Sequence, residues 1–237
     1  MKYILATLGV FLITTYSIDK KVLVFTKTNG YRHESIEKGV EVINKLGLEN
    51  GFKVIHSENS DIFTTESLKE FDLVIFLNTT EDILDDEGQR NFEMFIRNGG
   101  SFMGIHSAAD TEYDWPWYGK LVGAYFKNHP NNPSIRDAEI IKEDSMHVSC
   151  KHLPDRWERT DEWYNYKEIN PDINILLRLN ESSYEGGEHG DNHPIAWYHE
   201  FDGGKAFYTG GGHTKASFDE IDFKQHILGG ILYCLGN

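Results

Sequence analysis

Ser101-Phe102-Met103-Gly104-Ile105-His106-Ser107-Ala108-Ala109-Asp110 is an apolar run that breaks on a Gly-x-His-Ser-Ala turn. A strand that ends in glycine and small residues around one reactive side chain has the pattern of a nucleophile elbow, which holds that side chain at the C-terminal edge of a sheet. The raised residue here is His106. Imidazole suits proton transfer, metal binding or hydrogen bonding to a hydroxyl, and makes a poor lasting nucleophile. The segment therefore predicts a hydrolase-like scaffold running different chemistry, with Ser107 as nucleophile only if the turn is offset by one residue.

Before the elbow, apolar runs alternate with helical patterns. Residues 21–25 read as a strand, and Ile36, Val40, Ile43, Leu46 and Leu48 mark a helix that ends at Gly51. Second and third strands fall at 53–56 and 72–77. Asp85 caps a helix through Phe92, Phe95 and Ile96 that stops at Gly99-Gly100, just ahead of the strand into His106. Near-continuous apolar strands alternating with helices predict an α/β fold with a parallel sheet covered on both faces. After the elbow, Trp115, Pro116, Trp117, Tyr118, Asn131, Asn132 and Pro133 predict a long functional loop. Strands are expected at 138–141, 173–177, 195–198 and 205–209, the last two joined as a hairpin through Asp202-Gly203-Gly204. A closing helix places Phe223, Ile227, Leu228, Ile231, Leu232 and Leu235 on one face.

The chain has 237 residues, of which 39% are hydrophobic and 13% aromatic, enough for one domain with a sizeable core. Its formal charge of −15 argues against nucleic acid and anionic membrane surfaces, which select basic patches. A neutral small molecule or a cation fits better. Cys150 and Cys234 are too few for a disulfide framework, stand at no metal-ligand spacing, and read as buried or incidental. Met1-Lys2 followed by an apolar stretch through Ile13 reads as a secretory leader over residues 1–20, with one domain over 21–237. The apolar stretch falls short of the roughly 20 residues a membrane span needs. A periplasmic or secreted protein without stable membrane association is therefore expected.

Ligands of open parallel sheets bind outside the carboxyl ends of the strands. That rule gathers the loop 26–34, the loop 78–81, His106 and Asp110 at one edge, so His33, His106 and Asp110 would share a crevice. Several of the 11 histidines stand beside Gly, Pro or aromatics in loops: His129, His189, His193 and His213. With nearby carboxylates they would supply a divalent-metal site. The one His-x-x-x-His pair, His189 and His193, encloses Gly190-Asp191-Asn192 and lies on no helical pattern, so such a site must collect ligands from separate loops; otherwise these rings hydrogen-bond loop backbone. Asp161-Glu162-Trp163-Tyr164-Asn165-Tyr166 sets carboxylates beside aromatic rings, which is what a sugar site needs: a ring face to stack on and carboxylates that bind hydroxyls or move protons. Trp115, Trp117, Tyr118 and Trp197 would add platforms, although each taken singly is more often core. Glu162 is the best candidate for a general acid or base.

Together these segments resemble the ThuA-like (trehalose utilisation) family, whose fold is similar to that of class I glutamine amidotransferases. The resemblance is carried by Arg32-His33-Glu34-Ser35 after the first strand, Gly104-Ile105-His106-Ser107-Ala108, Tyr113-Asp114-Trp115-Pro116-Trp117-Tyr118, His129-Pro130, Asp161-Glu162-Trp163-Tyr164, His193-Pro194-Ile195-Ala196-Trp197 and Gly210-Gly211-Gly212-His213-Thr214. It implies a flavodoxin-like three-layer sandwich with a mostly parallel central sheet and a role in using trehalose or related glucosides, among proteins that act on 3-keto sugars. The amidotransferases carry a cysteine at the elbow where this chain has His106, so glutamine hydrolysis through a thioester is not available. The catalytic set expected is His106, Glu162 and His213. The substrate-binding set is His33, Asp110, Trp115, Trp117, Tyr118, His129, Trp163, Tyr164 and His193. The partner is a small-molecule carbohydrate, acted on by general acid/base steps with or without a divalent metal; the competing expectation is a carbohydrate-binding or accessory protein on the same scaffold.

Overall fold

A computed structural model describes residues 20–236. In chain order its elements are β1 (Lys20–Phe25), α1 (Ile36–Asn50), β2 (Phe52–Ser57), α2 (Thr65–Leu68), β3 (Leu73–Leu77), α3 (Asp86–Arg97), β4 (Ser101–Ile105) and α4 (Pro116–Val122). There follow β5 (Tyr125–Asn128), β6 (Ile135–Lys142), β7 (Arg156–Glu162), β8 (Asn165–Lys167), β9 (Asn174–Asn180), β10 (His193–Phe201), β11 (Gly204–Thr209) and α5 (Ile221–Leu235). The leader expected at the N-terminus lies outside the described residues except for Lys20, which opens β1. Among the described residues no helix is long and apolar enough to cross a membrane.

Nine strands form one sheet in the order β2-β1-β3-β4-β11-β10-β9-β6-β7. The half from β2 to β11 is parallel throughout. Its central strands β3 and β4 are buried at every position, as strands covered on both faces must be. Beyond β11 the pairing turns antiparallel, starting at the expected β10–β11 hairpin. Its two turn residues, Asp202 (φ 49°) and Gly203 (φ 99°), take the left-handed conformations that let a tight turn follow the twist of its strands. α1 and α5 pack on one face, α3 and α4 on the other. Asp85 caps α3 as expected, its carboxylate accepting the Gly88 N–H at 2.8 Å. Rings of Phe76, Phe92 and Phe102 lock α3 to the sheet, with Phe76 and Phe92 stacked at 5.4 Å.

Besides the short α2 and β8, two regions differ from expectation. Residues 115–133 contain α4 and β5 rather than one long loop. Pro116 occupies the first turn of α4, where its fixed φ suits a helix start and its missing N–H costs nothing. β7 escapes the apolar pattern because two of its inward residues are charged: Trp157, Arg159 and Asp161 are buried while Arg156, Glu158 and Thr160 are exposed. The period-2 alternation is present, but an apolar template cannot register it. The Arg159 guanidinium lies over the rings of Trp157 and Phe223 and pairs with Glu220 at 2.7 Å and Asp161 at 3.4 Å, which offsets the cost of burying it.

Candidate active site

β4 ends at Ile105, and His106 follows in the left-handed region with φ 50° before a short 3-10 turn, His106–Asp110. The left-handed residue is thus His106, not Ser107. A non-glycine residue held there costs about 1–3 kcal/mol and needs its surroundings to impose it. They do so at three points. Tyr208 Oη donates to the His106 carbonyl at 2.7 Å, and His106 Nδ1 donates to the Gly210 carbonyl at 2.8 Å. Gly104 lets the turn pack close, since a Cβ there would stand 3.0 Å from the Tyr208 ring and 3.1 Å from Ala108 Cβ, tighter than ordinary contact. The small residues flanking His106 in sequence are what allow the turn to pack this closely.

Two loops and the end of a strand bring partners to this imidazole. The loop between β1 and α1 supplies His33, whose ring meets those of His106 and His213 edge-on at 4.9 Å each. Ser107 Oγ lies 3.4 Å from His33 Nδ1. The glycine loop after β11 supplies His213, and the end of β7 supplies Glu162. His106 Nε2 is 3.1 Å from His213 Nδ1 and 3.5 Å from Glu162 Oε2; His213 Nδ1 is 3.1 Å from the same oxygen. One donor atom from each of His33, His106, Glu162 and His213 lies within 4.8 Å of the others. His129 Nε2 approaches Glu162 Oε1 at 3.6 Å from outside.

The electrostatics follow from burial. Burial alone would raise the Glu162 carboxyl, but contacts with the His106 and His213 imidazoles outweigh it and hold the group well below the usual carboxylate range. Burial, followed by the nearby His106 and His213 rings, pushes His33 down to about 2, so this ring stays neutral. His106 has no exposed surface, whereas the side chains of His213 and His129 are 16% and 26% exposed. The site is reached from the His213 and His129 side, with His106 as its inner wall.

The remaining expected residues divide sharply. Tyr164 is at the site, its ring 4.3 Å from that of His106, and His129 stacks on it at 6.2 Å. His193 supports Tyr164 from behind, donating from Nε2 to the Tyr164 carbonyl at 2.8 Å, with Nδ1 2.7 Å from Glu181. Asp110 ends the 3-10 turn and accepts a short hydrogen bond from Tyr113; burial raises its carboxyl, and it lies outside the four-residue group. Trp115, Trp117 and Tyr118 are not brought to this edge: Trp117 Nε1 donates to Asp202 at 2.7 Å, Trp115 Nε1 to Glu93 at 3.1 Å, and Tyr118 is fully buried against Ala108. Trp163 points inward, its Nε1 bonded to the Arg136 carbonyl, and Trp197 stacks on Tyr208 in the core. The exposed ring at the site is Tyr31, parallel to His213 at 6.5 Å, which sequence reading passed over because a lone loop tyrosine carries no pattern. A groove of about 740 Å³ opens at the opposite edge, beside Asp72, Ser101 and Gly204 where β3, β4 and β11 begin, and is remote from these imidazoles.

Asp161 is the organising residue that sequence reading did not single out. Its buried carboxylate accepts N–H groups from Glu162 (3.0 Å), Gly212 (2.8 Å) and His213 (3.2 Å) and the Ser217 hydroxyl (2.7 Å). Behind it, Ser35 Oγ and Asn78 Nδ2 both donate to the Gly212 carbonyl, tying the loops after β1, β3 and β11 together.

Comparison with known proteins agrees with this frame. The ThuA family profile, described as trehalose utilisation, matches residues 21–234. A ThuA-like protein from Bacteroides uniformis superposes with a TM-score of 0.78 at 21% identity, covering 95% of each chain. Another from Parabacteroides merdae gives 0.73 at 19% identity, covering 91% of this chain and 90% of that one. A β-galactosidase from Bacillus circulans gives 0.58 at 13% identity, covering 92% of this chain but 30% of the enzyme, a likeness of fold alone. No curated protein matches the chain in sequence. With a parallel-centred sheet, the histidine elbow and a family profile that spans nearly every described residue, the chain belongs to the ThuA, or trehalose utilisation, family.

Proposed function

We propose that this protein is exported and acts on a sugar or keto-sugar, of the trehalose or related glucoside class, by general acid/base chemistry. The observation that carries the reading is the triangle of His106 Nε2, His213 Nδ1 and Glu162 Oε2, with sides of 3.1 to 3.5 Å. An imidazole beside a carboxylate held ionised can take a proton from a hydroxyl or an acidic C–H and pass it on, the carboxylate stabilising the imidazolium that forms, with geometry within direct reach. His213, partly exposed, connects the inner His106 to solvent, while Tyr31 offers a ring face to the substrate. The family description supports the sugar class, and the basic, apolar N-terminus supports export. The same donor set admits a metal-assisted form of this chemistry.

The test is turnover of trehalose, simple glucosides and their 3-keto derivatives, followed by chromatography or NMR, for the natural chain and His106→Ala. The reading expects turnover that disappears in the variant while sugar binding persists. Undiminished turnover in His106→Ala would sink it. The complete burial of His106 favours a second reading, a carbohydrate-binding or accessory protein. It expects the variant to lose affinity with no turnover in either form.

A further inference from the structure

We infer that His106 Nε2, His213 Nδ1 and a Glu162 oxygen, with His33 as the fourth donor, bind one divalent first-row transition ion. Metal–nitrogen and metal–oxygen bonds of about 2.0–2.2 Å set neighbouring ligand atoms about 3.0 Å apart in an octahedron and about 3.4 Å apart in a tetrahedron. The three separations here, 3.1, 3.1 and 3.5 Å, lie within about 0.1 Å of that range. The tautomer of the inner imidazole is fixed by its other nitrogen. His106 Nδ1 must carry the proton, because its partner, the Gly210 carbonyl, can only accept. In the neutral ring Nε2 then presents a lone pair, and it faces a carboxylate oxygen and a second imidazole nitrogen. With the His213 proton on its outer nitrogen, Nδ1 completes a set of three lone pairs aimed at one point, the arrangement a cation accepts. An imidazole whose far nitrogen donates to a backbone carbonyl is also the usual support of a metal ligand, since that bond fixes tautomer and ring orientation.

Three imidazoles and one carboxylate, with no thiolate, select a zinc-, manganese-, iron-, cobalt- or nickel-type ion over calcium or magnesium, which take oxygen ligands. The cation also suits the acidic chain, whose formal charge is −15. The ion would polarise a substrate oxygen arriving from the His213 side, and for that role the inference rests on the sugar reading above. Its test needs no sugar.

The purified chain is stripped with chelator and titrated with Zn²⁺ and Co²⁺, following heat and the visible absorption of cobalt. One ion per chain is expected. His213→Ala and Glu162→Gln should each weaken binding at least about 100-fold, beyond the 10–100-fold typical of supporting residues. His152→Ala serves as control, because that ring bonds the Asp222 carbonyl away from the site, and it should leave binding within about threefold. Circular dichroism identifies variants that fail to fold; if His106→Ala does, His213→Ala, on a partly exposed loop, decides. Substoichiometric uptake, unchanged affinity in His213→Ala and Glu162→Gln, or displacement by millimolar Mg²⁺ or Ca²⁺ overturns the inference. Stoichiometric binding without sugar turnover leaves it standing and removes the catalytic reading; turnover in a chain that takes up no ion does the reverse.

Discussion

His213 Nδ1 stands 3.1 Å from Glu162 Oε2 because both residues hang from one buried carboxylate, that of Asp161. Asp161 Oδ1 accepts the backbone N–H of each, and Oδ2 accepts those of Gly212 and the Ser217 hydroxyl. The glycine loop and the end of β7, distant in sequence, are therefore positioned by a single group.

Asp161→Asn keeps the shape but gives up one acceptor oxygen and the charge opposite Arg159. Removing one partner of a buried pair costs about 3–5 kcal/mol when the other charge is left uncompensated. Because Glu220 still pairs with Arg159, we expect about 2–3 kcal/mol in urea unfolding and at least a tenfold loss of activity or metal affinity. A variant that unfolds like the natural chain and keeps full activity would show that Asp161 positions nothing.

Gly104→Val tests the packing beneath the elbow. A Cβ at this position meets the Tyr208 ring at 3.0 Å and Ala108 Cβ at 3.1 Å, and overpacking of this kind costs about 1–3 kcal/mol. The expected result is a lower Tm together with impaired function, because Tyr208 also holds the His106 carbonyl. Unchanged thermal unfolding would contradict the geometry.

Trp117→Ala should separate stability from sugar recognition. The ring stacks on Trp115 and lies 5.4 Å from Phe201, and its Nε1 bonds Asp202, all away from the imidazole cluster. A loss of about 2–4 kcal/mol in stability with sugar affinity within about twofold is expected by calorimetry. Tyr31→Ala should do the opposite, weakening sugar binding about fivefold or more with little effect on unfolding, since its ring is exposed beside His213.

Acid sensitivity has a specific source in α5. Burial pushes the His226 imidazole from its ordinary 6.5 down to about 3, so the folded chain keeps it neutral where the unfolded chain binds a proton. Stability is complete above about pH 6.5 and falls as pH drops toward 3, by up to about 1.4 kcal/mol for each pH unit from this group. His226→Leu should flatten the dependence of unfolding free energy on pH by about one proton in that window. Parallel curves for the two proteins would rule the assignment out.

The alternation of β1, β3 and β4 with α1 and α3, the hairpin at Asp202-Gly203 and the elbow at His106 were all legible in the sequence, because each rests on local signals: apolar period, capping and turn chemistry, small residues beside one imidazole. α4 and β7 were not. Pro116 reads as a breaker until it is seen to start a helix, and β7 turns Arg159 and Asp161 inward, where apolar periodicity has nothing to detect.

The sequence by itself thus determined the strand and helix scaffold, the family resemblance and the identity of the inner imidazole, since those depend on residues close together in the chain. Which side chains meet that imidazole was decided only in three dimensions. His33, Glu162 and His213 arrive from the loop after β1, the end of β7 and the loop after β11, and the tryptophans offered by the same reading pack elsewhere. The physical reason is that strand pairing and one buried carboxylate set these distances, and both join segments far apart in sequence.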